Sequence, residues 1–237
     1  MILVRHTLPR PDAALGLIRA EGVQATTPPP DFEDRLAALL AARRTDLPDR
    51  EEAVRLAARD LLRNGRYKPT GRGKPASEYL LRAAQRAAGG EAAFPRINAP
   101  VDVCNYISLK YLVPISLWDL DRAGTAQFVF RLGAAGEAYV FNGAGQVIDL
   151  EDLVVGCRIT PEAPAGEPIV NPVKDSLATK TTPETTRVAA AVYAPLAAMP
   201  PDTLAAICDE FAGLLAACGA AEDVACAVVL PGEERSV

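Results

Sequence analysis

Hydrophobic positions in the first part of the chain recur at helical spacing. After Asp31, the apolar residues Phe32, Leu36 and Leu39 fall on one face, which is the period of an amphipathic helix, and Asp31 is its expected cap. The same pattern predicts four more helices: one that begins at Asp49 with Glu52 as a capping-box partner, one over 76–88, one over 99–112 capped by Asn98, and a closing helix with Leu204, Ile207, Phe211, Leu214, Leu215 and Cys218 on one face.

Short apolar runs between turns predict strands in the rest of the chain. The predicted strands cover 13–25, 125–131, 137–141, 146–150, 153–159 and a buried strand over 224–230. The segment 160–184 is rich in Pro, Thr and Glu and is predicted to be irregular. Residues 186–194 stay open between helix and strand, because alanine favours helix whereas Val and Tyr allow a strand.

The order of these elements indicates an α+β fold, in which helices pack against a mixed β-sheet. We expect one domain over 1–237, since a chain of 237 residues can form one sizeable core. The hydrophobic fraction of 49% and the charged fraction of 23% are ordinary for a folded protein. No apolar stretch has the length of a membrane span or of a signal peptide, so we predict a cytoplasmic protein without a membrane partner.

Cysteine and histidine usage predicts neither a metal site nor a cofactor. The five cysteines form no CxxC pair, and His6 is the single histidine. The usual spacing of zinc ligands is therefore missing, and a histidine-dependent catalytic unit would have to use His6 near the start. The run Gly71-Arg72-Gly73-Lys74 lacks the spacing of a P-loop, which argues against binding of a nucleoside triphosphate.

One basic segment stands out in an acidic chain. The net charge is −5 and the pI about 5.1, which argues against a general nucleic-acid binder and against DNA as a partner. Five cations nevertheless occur close together without an intervening acid: Arg63, Arg66, Lys68, Arg72 and Lys74. Four of them, Arg66, Lys68, Arg72 and Lys74, are candidates for local RNA binding; the alternative is a solvated loop.

Residues 100–121, PVDVCNYISLKYLVPISLWDLD, resemble a segment of the editing (B3/B4) domain of the phenylalanyl-tRNA synthetase β subunit. The positions that fit are Val101, Asp102, Asn105, Tyr106, Leu109, Pro114, Asp119, Leu120 and Asp121. The strands and Gly-containing turns that follow fit in the same order, so the resemblance covers about residues 65–195.

The resemblance implies the B3/B4 fold and a tRNA partner, bound at its charged 3′ end. It implies hydrolysis of a misacylated aminoacyl ester, which we expect to act in trans because the other synthetase modules are missing from this sequence. Two alternatives stay open. One is a non-catalytic module that binds tRNA or a free amino acid, and the other is a hydrolase or binding protein for an unrelated small molecule.

The resemblance also suggests site residues. Pro114, Asn171 and Ala191 are expected at the substrate, where Ala191 takes the place of a family glutamate that recognises the tyrosine hydroxyl. Ser116, at a family histidine position, joins Lys174, Asp175 and Ser176 as a catalytic candidate. Lys174, Ser176 and the backbone N–H groups of 171–176 would stabilise an oxyanion, and Asp175 would hold the α-ammonium or orient water. The alternatives are a turn or cap for Asp175 and Ser176 and a small turn residue for Ser116.

Overall fold

A computed structural model describes residues 1–237 except for the side chain of Ala220. The α-helices that it describes are α1 Phe32–Ala42, α2 Asp49–Asp60, α3 Ala76–Ala88, α4 Ala99–Tyr111, α5 Leu120–Ala123 and α6 Pro201–Ala216. The strands are β1 Leu3–His6, β2 Ala13–Val23, β3 Ile115–Asp119, β4 Gln127–Leu132, β5 Ala138–Val140, β6 Val147–Asp149, β7 Val154–Thr160, β8 Ala163–Val170, β9 Arg187–Pro195, β10 Gly219–Val229 and β11 Glu234–Ser236.

The strands form two main sheets and a hairpin. One sheet has the order β11-β1-β4-β7-β8, and it is mixed because β1 and β4 run parallel. The other, β10-β2-β9-β3, is antiparallel throughout. Strands β5 and β6 pair separately as a two-stranded hairpin. The predicted α+β class with a mixed sheet is confirmed, and the strands divide between two sheets.

The two sheets and the helices form layers. Side chains from both sheets, such as Trp118, Phe128 and Tyr193, share one apolar core. The other face of the antiparallel sheet packs on α1, α3, α4 and α6 in a second core. Strand β9 is therefore covered on both faces, and eight of its nine residues are buried. A strand that is buried on both faces carries apolar residues in succession rather than alternating apolar and polar residues. The run of alanines in 186–194 therefore did not distinguish a strand from a helix.

The close contact between α6 and β2 depends on a glycine. A Cβ atom at Gly16 would overlap the Sγ of Cys208 on α6. Glycine therefore lets this helix approach the centre of the sheet.

The helix starts show which caps form. Asn98 caps α4, because its side chain accepts the N–H of Val101 at 3.2 Å, so this prediction is confirmed. Asp31 takes the predicted N-cap position of α1, but the expected capping hydrogen bond does not form. A turn closed by the N–H of Phe32 on the carbonyl of Pro29 leaves Asp31 at φ 57°, without a cap hydrogen bond from its side chain. The Asp49 cap is wrong, since Asp49 is itself the first residue of α2.

Two strand predictions need correction. The segment 160–184 contains β8, which pairs with β7 at the edge of the mixed sheet. An edge strand tolerates the prolines that made this segment look irregular, since one side of its backbone needs no partner. Strand β10 is an edge strand too, and its residues over 224–228 are half-buried rather than buried. Among the described helices, none has the length and apolar character needed to cross a bilayer.

Candidate functional site

A cleft of about 520 Å³ lies where the basic segment meets the β5–β6 hairpin and the 171–176 loop. Its wall combines two cations with aromatic and aliphatic side chains. The lining residues are Tyr67, Arg72, Gly73, Phe141, Gln146, Val147, Ile148, Asp149 and Lys174. Two of the predicted site residues, Arg72 and Lys174, thus share one concave surface.

Tyrosine hydroxyls hold the basic segment in place from two sides. The Tyr67 hydroxyl donates to the carbonyl of Gly73 at 2.9 Å, and the Tyr79 hydroxyl donates to that of Gly71 at 3.0 Å. Gly71 has φ 53°, a conformation that favours glycine. Residues Gly71–Gly73 therefore form one turn of 3₁₀ helix. The two tyrosine hydrogen bonds hold the backbone on both sides of Arg72 in place.

The fold pairs one of the basic side chains with acids that are distant in sequence. The guanidinium of Arg66 contacts Glu151 and lies 3.8 Å from Asp149. Its backbone N–H donates to Asp152 at 2.8 Å. Among the described side chains, Lys68, Arg72 and Lys74 form no ion pair. The four predicted RNA-binding residues therefore divide into one neutralised arginine and three available cations.

The 171–176 loop uses its own polar groups to hold its shape. The Asn171 side chain accepts the N–H groups of Val173 and Lys174 at 2.7 and 2.8 Å. Its amide donates to the Tyr139 hydroxyl, which donates to the carbonyl of Lys174 at 2.8 Å. Two of the N–H groups that we expected to face an oxyanion are therefore engaged inside the loop.

Ser176 closes this loop. Its Oγ accepts the N–H of Ala178 at 3.2 Å and caps a short 3₁₀ turn, Leu177–Thr179. Its own N–H donates to the carbonyl of Ile169 at 2.9 Å. Ser176 is buried, so the geometry matches the cap that was the alternative to its catalytic role.

Lys174 places its charge at the cleft beside an aromatic ring. Its Nζ lies 4.2 Å from the centroid of Phe141, within the range of a cation–π contact. The lysine side chain is half-buried and forms no ion pair among the described residues. An ammonium held in this way can attract an anion that enters the cleft.

Asp175 ties the loop to the adjacent strand. One carboxylate oxygen accepts the N–H of Asn171 at 3.2 Å, and the other accepts that of Leu117 at 3.3 Å. Burial raises the pKa of Asp175 to about 7, although the hydroxyl of Ser116, these two N–H groups and the charge of Lys180 lower it. Asp175 is therefore a carboxyl group that can take or release a proton near neutral pH.

Ser116 and Ala191 lie behind the cleft, in the core between the sheets. They face each other across β3 and β9, and neither has measurable exposure. The Ser116 hydroxyl donates to the carbonyl of Asn171 at 3.1 Å and lies 3.0 Å from the Tyr193 hydroxyl. Pro114 is buried next to them, and its carbonyl accepts the N–H of Tyr193 at 3.1 Å.

Two tyrosines of this network, Tyr139 and Tyr193, were not among the site residues predicted from the sequence. Burial raises the pKa of both hydroxyls well above the usual value, and the nearby charge of Asp175 adds to the effect. Both therefore act as neutral hydrogen-bonding groups. The strand period could have revealed Tyr193, because it stands two residues after Ala191 and so shares its face of β9.

Several residues that carry the family resemblance secure the ends of elements. Asp102 accepts the N–H of Ile97 and the Nε of Arg96, both at 2.8 Å. Asp119 caps α5 by accepting the N–H of Arg122 at 2.9 Å. These residues hold the strands and helices around the cleft and take no part in its wall.

His6 is engaged elsewhere. Its Nε2 lies 3.0 Å from the carbonyl of Ala13, and burial lowers its pKa. The five cysteines are free thiols, and four of them are buried.

Comparisons with known proteins place this arrangement in a family. A family model described as "B3/4 domain" matches residues 75–198, slightly more than half of the chain. The phenylalanine–tRNA ligase beta subunit of Carboxydothermus hydrogenoformans is 36% identical over 77 residues, which are 32% of this chain and 10% of that subunit. The chain thus aligns with about a tenth of the length of this relative. These matches confirm the resemblance drawn from residues 100–121, and the basic segment 63–74 lies before the family match.

Proposed function

The chain belongs to the B3/4 domain family, and on that premise we propose that it hydrolyses the aminoacyl ester of misacylated tRNA in trans. The matched relative is a phenylalanine–tRNA ligase subunit, which supports tRNA as the partner. One observation carries the catalytic part. Lys174 lines the same cleft as Arg72, and the next residue, Asp175, has a pKa of about 7 and a carboxylate that accepts the N–H groups of Asn171 and Leu117.

The substrate would enter with its charged 3′ end in the cleft. Arg72 and Lys68 are unpaired among the described residues and would contact terminal phosphates, for which guanidinium and ammonium groups are the usual partners. Phe141 and Tyr67 offer aromatic faces on which an unpaired base can stack. The ester would then lie next to Lys174, at the mouth of the 171–176 loop.

The proposed reaction is an attack of water on the ester carbonyl. The water oxygen forms a bond to the carbonyl carbon, and Asp175 in its ionised form accepts the proton through a second water, because its carboxylate is not part of the cleft wall. Lys174 stabilises the oxyanion of the tetrahedral intermediate by its charge. When the intermediate collapses, the ribose oxygen leaves with the proton, so the products are a free amino acid and tRNA with an intact 3′ hydroxyl. A pKa near 7 suits this role, since a base works best when its pKa is close to the working pH.

A binding module without catalysis is the second candidate. Two observations favour it. Ser116 is buried in the core, and the Asn171 side chain accepts the N–H groups of Val173 and Lys174, so none of these groups is free to stabilise an oxyanion. Such a protein would hold tRNA or a free amino acid in the cleft and leave the ester intact.

The test is the release of labelled amino acid from tRNAs charged in turn with each amino acid. We expect at least one aminoacyl-tRNA to lose its amino acid with turnover. Asp175→Asn should abolish the release, whereas Asp46→Asn, a matched change of an exposed carboxyl group, should leave it intact. Binding of tRNA without release would establish the binding module. If the protein neither binds tRNA nor releases amino acid, the unrelated small-molecule alternative is left.

A further inference from the structure

A second cleft, of about 400 Å³, shares the Gly71–Lys74 turn as part of its wall. Helices α2 and α3 supply the rest. The lining residues are Arg55, Arg59, Gly71, Lys74, Glu78, Tyr79, Leu81, Arg82 and Gln85. Arg72 and Gly73 of the same turn line the first cleft, so one short segment contributes to both.

Cations outnumber acids in this second cleft. Four positive side chains line it, namely Arg55, Arg59, Lys74 and Arg82, and Glu78 is the single acid in the wall. Glu52, outside the wall, also bonds to Arg55. When Glu52 and Glu78 are subtracted from the four cations, the cleft keeps two net positive charges. The whole chain, by contrast, has a net charge of −5. This local reversal of sign concentrates anions at the cleft.

Glu78 holds Arg55 and Arg59 in place from the wall of the cleft. Glu78 has a side chain that is 9% exposed; it lies 2.9 Å from Arg55 and also binds Arg59 through Nε and one Nη. Arg55 is bonded on both sides, by Glu52 and by Glu78, whereas Arg59 is bonded along one edge and keeps N–H donors on its other edge. Lys74 and Arg82 form no ion pair among the described residues, so they can neutralise a ligand without first breaking a bond. The cleft has the donors and the charge that a phosphate group requires.

We propose that this second cleft binds the phosphodiester backbone of an RNA strand whose 3′ end occupies the first cleft. The inference rests on the proposed function, because it takes the RNA to be the tRNA substrate. The Gly71–Lys74 turn joins the two clefts, and the Tyr67 and Tyr79 hydroxyls keep it in place. A strand that crosses this turn meets Arg72 on one side and the cluster of Arg59, Lys74 and Arg82 on the other.

The test measures binding of 5′-labelled uncharged tRNA over a series of salt concentrations. Arg82→Gln should reduce the slope of log K against log salt by about 0.7 to 0.9, the value for one phosphate contact, and the further change Lys74→Gln should about double that reduction. Arg82→Lys, which keeps the charge, should restore most of the slope. The control is Arg44→Gln, an exposed arginine without an ion pair among the described residues, which should change nothing.

Two further measurements separate the possible outcomes. Hydrolysis of charged tRNA by Arg82→Gln should lose efficiency through a raised KM rather than a lowered kcat, because the contact is remote from the ester. Unfolding midpoints should show that all variants fold. Binding of inorganic phosphate by the wild-type protein and by Arg82→Gln tests whether the second cleft is a site for small anions instead of RNA.

The inference is overturned if Arg82→Gln binds tRNA as Arg44→Gln does, while the wild-type protein still hydrolyses charged tRNA. It is also overturned if Arg82→Gln loses inorganic phosphate but keeps the salt dependence of the wild type toward tRNA. A wild-type protein that neither binds nor hydrolyses any charged tRNA overturns the proposed function, and this inference with it.

Discussion

The Oγ of Ser116 and the hydroxyl oxygen of Tyr193 lie 3.0 Å apart in the core between the two sheets. They stand diagonally across neighbouring antiparallel strands, since Ser116 faces Ala191 directly. Ser116 also donates to the carbonyl of Asn171, so a buried polar chain runs from β9 to the loop that carries Lys174. The position of the cleft wall therefore depends on polar groups in the core.

This pair predicts a coupled loss of stability. Ser116→Ala leaves the Tyr193 hydroxyl and the Asn171 carbonyl without this partner, which should cost about 1–3 kcal/mol in the free energy of unfolding. Tyr193→Phe should also destabilise the protein. The double variant should lose less than the sum of the two, by about 0.5–3 kcal/mol, as expected for groups in direct contact. Urea denaturation of the four proteins measures this coupling, and strictly additive losses would contradict it.

Asp175 predicts the pH profile of hydrolysis. In the proposed mechanism Asp175 is the base, with a pKa of about 7, and it would be active when ionised. The rate should therefore rise about tenfold per pH unit below pH 7 and level off above it. Asp175→Asn should remove both the activity and this profile. Initial rates between pH 5.5 and 8.5, a range of about one and a half units on either side, provide the measurement. A flat profile in the wild-type protein would exclude Asp175 as the base.

The same residue predicts a pH dependence of stability. Its folded pKa lies above the ordinary value of 3.8, so protonation favours the folded state. The stabilisation should be complete below about pH 4 and lost as the pH rises toward 7, at about 1.4 kcal/mol for each unit of pKa at most. Asp175→Asn should flatten this part of the curve relative to the wild type. A wild-type protein that gains stability over this range relative to Asp175→Asn would contradict the assignment.

The basic segment predicts unequal effects of its arginines on tRNA binding. Arg72→Ala combined with Lys74→Ala should lower the slope of log K against log salt by about 1 to 2, at about 0.9 for each phosphate contact. Arg66→Ala should change the slope less than Arg72→Ala alone, because Glu151 already neutralises the guanidinium of Arg66. Fluorescence anisotropy with uncharged tRNA compares the variants. If Arg66→Ala and Arg72→Ala lowered the slope equally, the ion pair between Arg66 and Glu151 would have to open when RNA binds.

The core position of Ala191 predicts the amino-acid preference. A pocket that hydrogen-bonds a substrate hydroxyl discriminates by roughly four to five orders of magnitude, whereas Ala191, at the position of the family glutamate, is buried in the core and offers no side-chain hydrogen bond to a substrate. Tyrosine should therefore not be preferred; an aliphatic or small polar amino acid should be cleared faster, with close homologues separated by only about ten- to a few hundred-fold per methylene. Rates on matched tRNAs charged with tyrosine, phenylalanine and smaller residues measure this. Fastest clearance of tyrosyl-tRNA by a wide margin would refute this prediction and show that another residue recognises the tyrosine hydroxyl.

Local patterns in the sequence were enough for much of the fold and for the family. The Asn98 cap, helix α4 and strands β4 to β7 follow from spacing between near neighbours, which short-range physics controls. The motif over 100–121 indicated the family by its resemblance, and two of its residues, Asp102 and Asp119, hold the ends of elements.

The tertiary structure decided what depends on contacts between distant segments. Alanine-rich β9 is a strand because both of its faces are covered by other layers, a property that its own composition does not encode. Arg66 belongs to a run without acids, yet Glu151 neutralises it after the chain folds back. Ser116 and Ala191 lie behind the cleft for the same reason: pairing between β3 and β9 puts them in the core, and strand pairing is a long-range choice that local propensity cannot make.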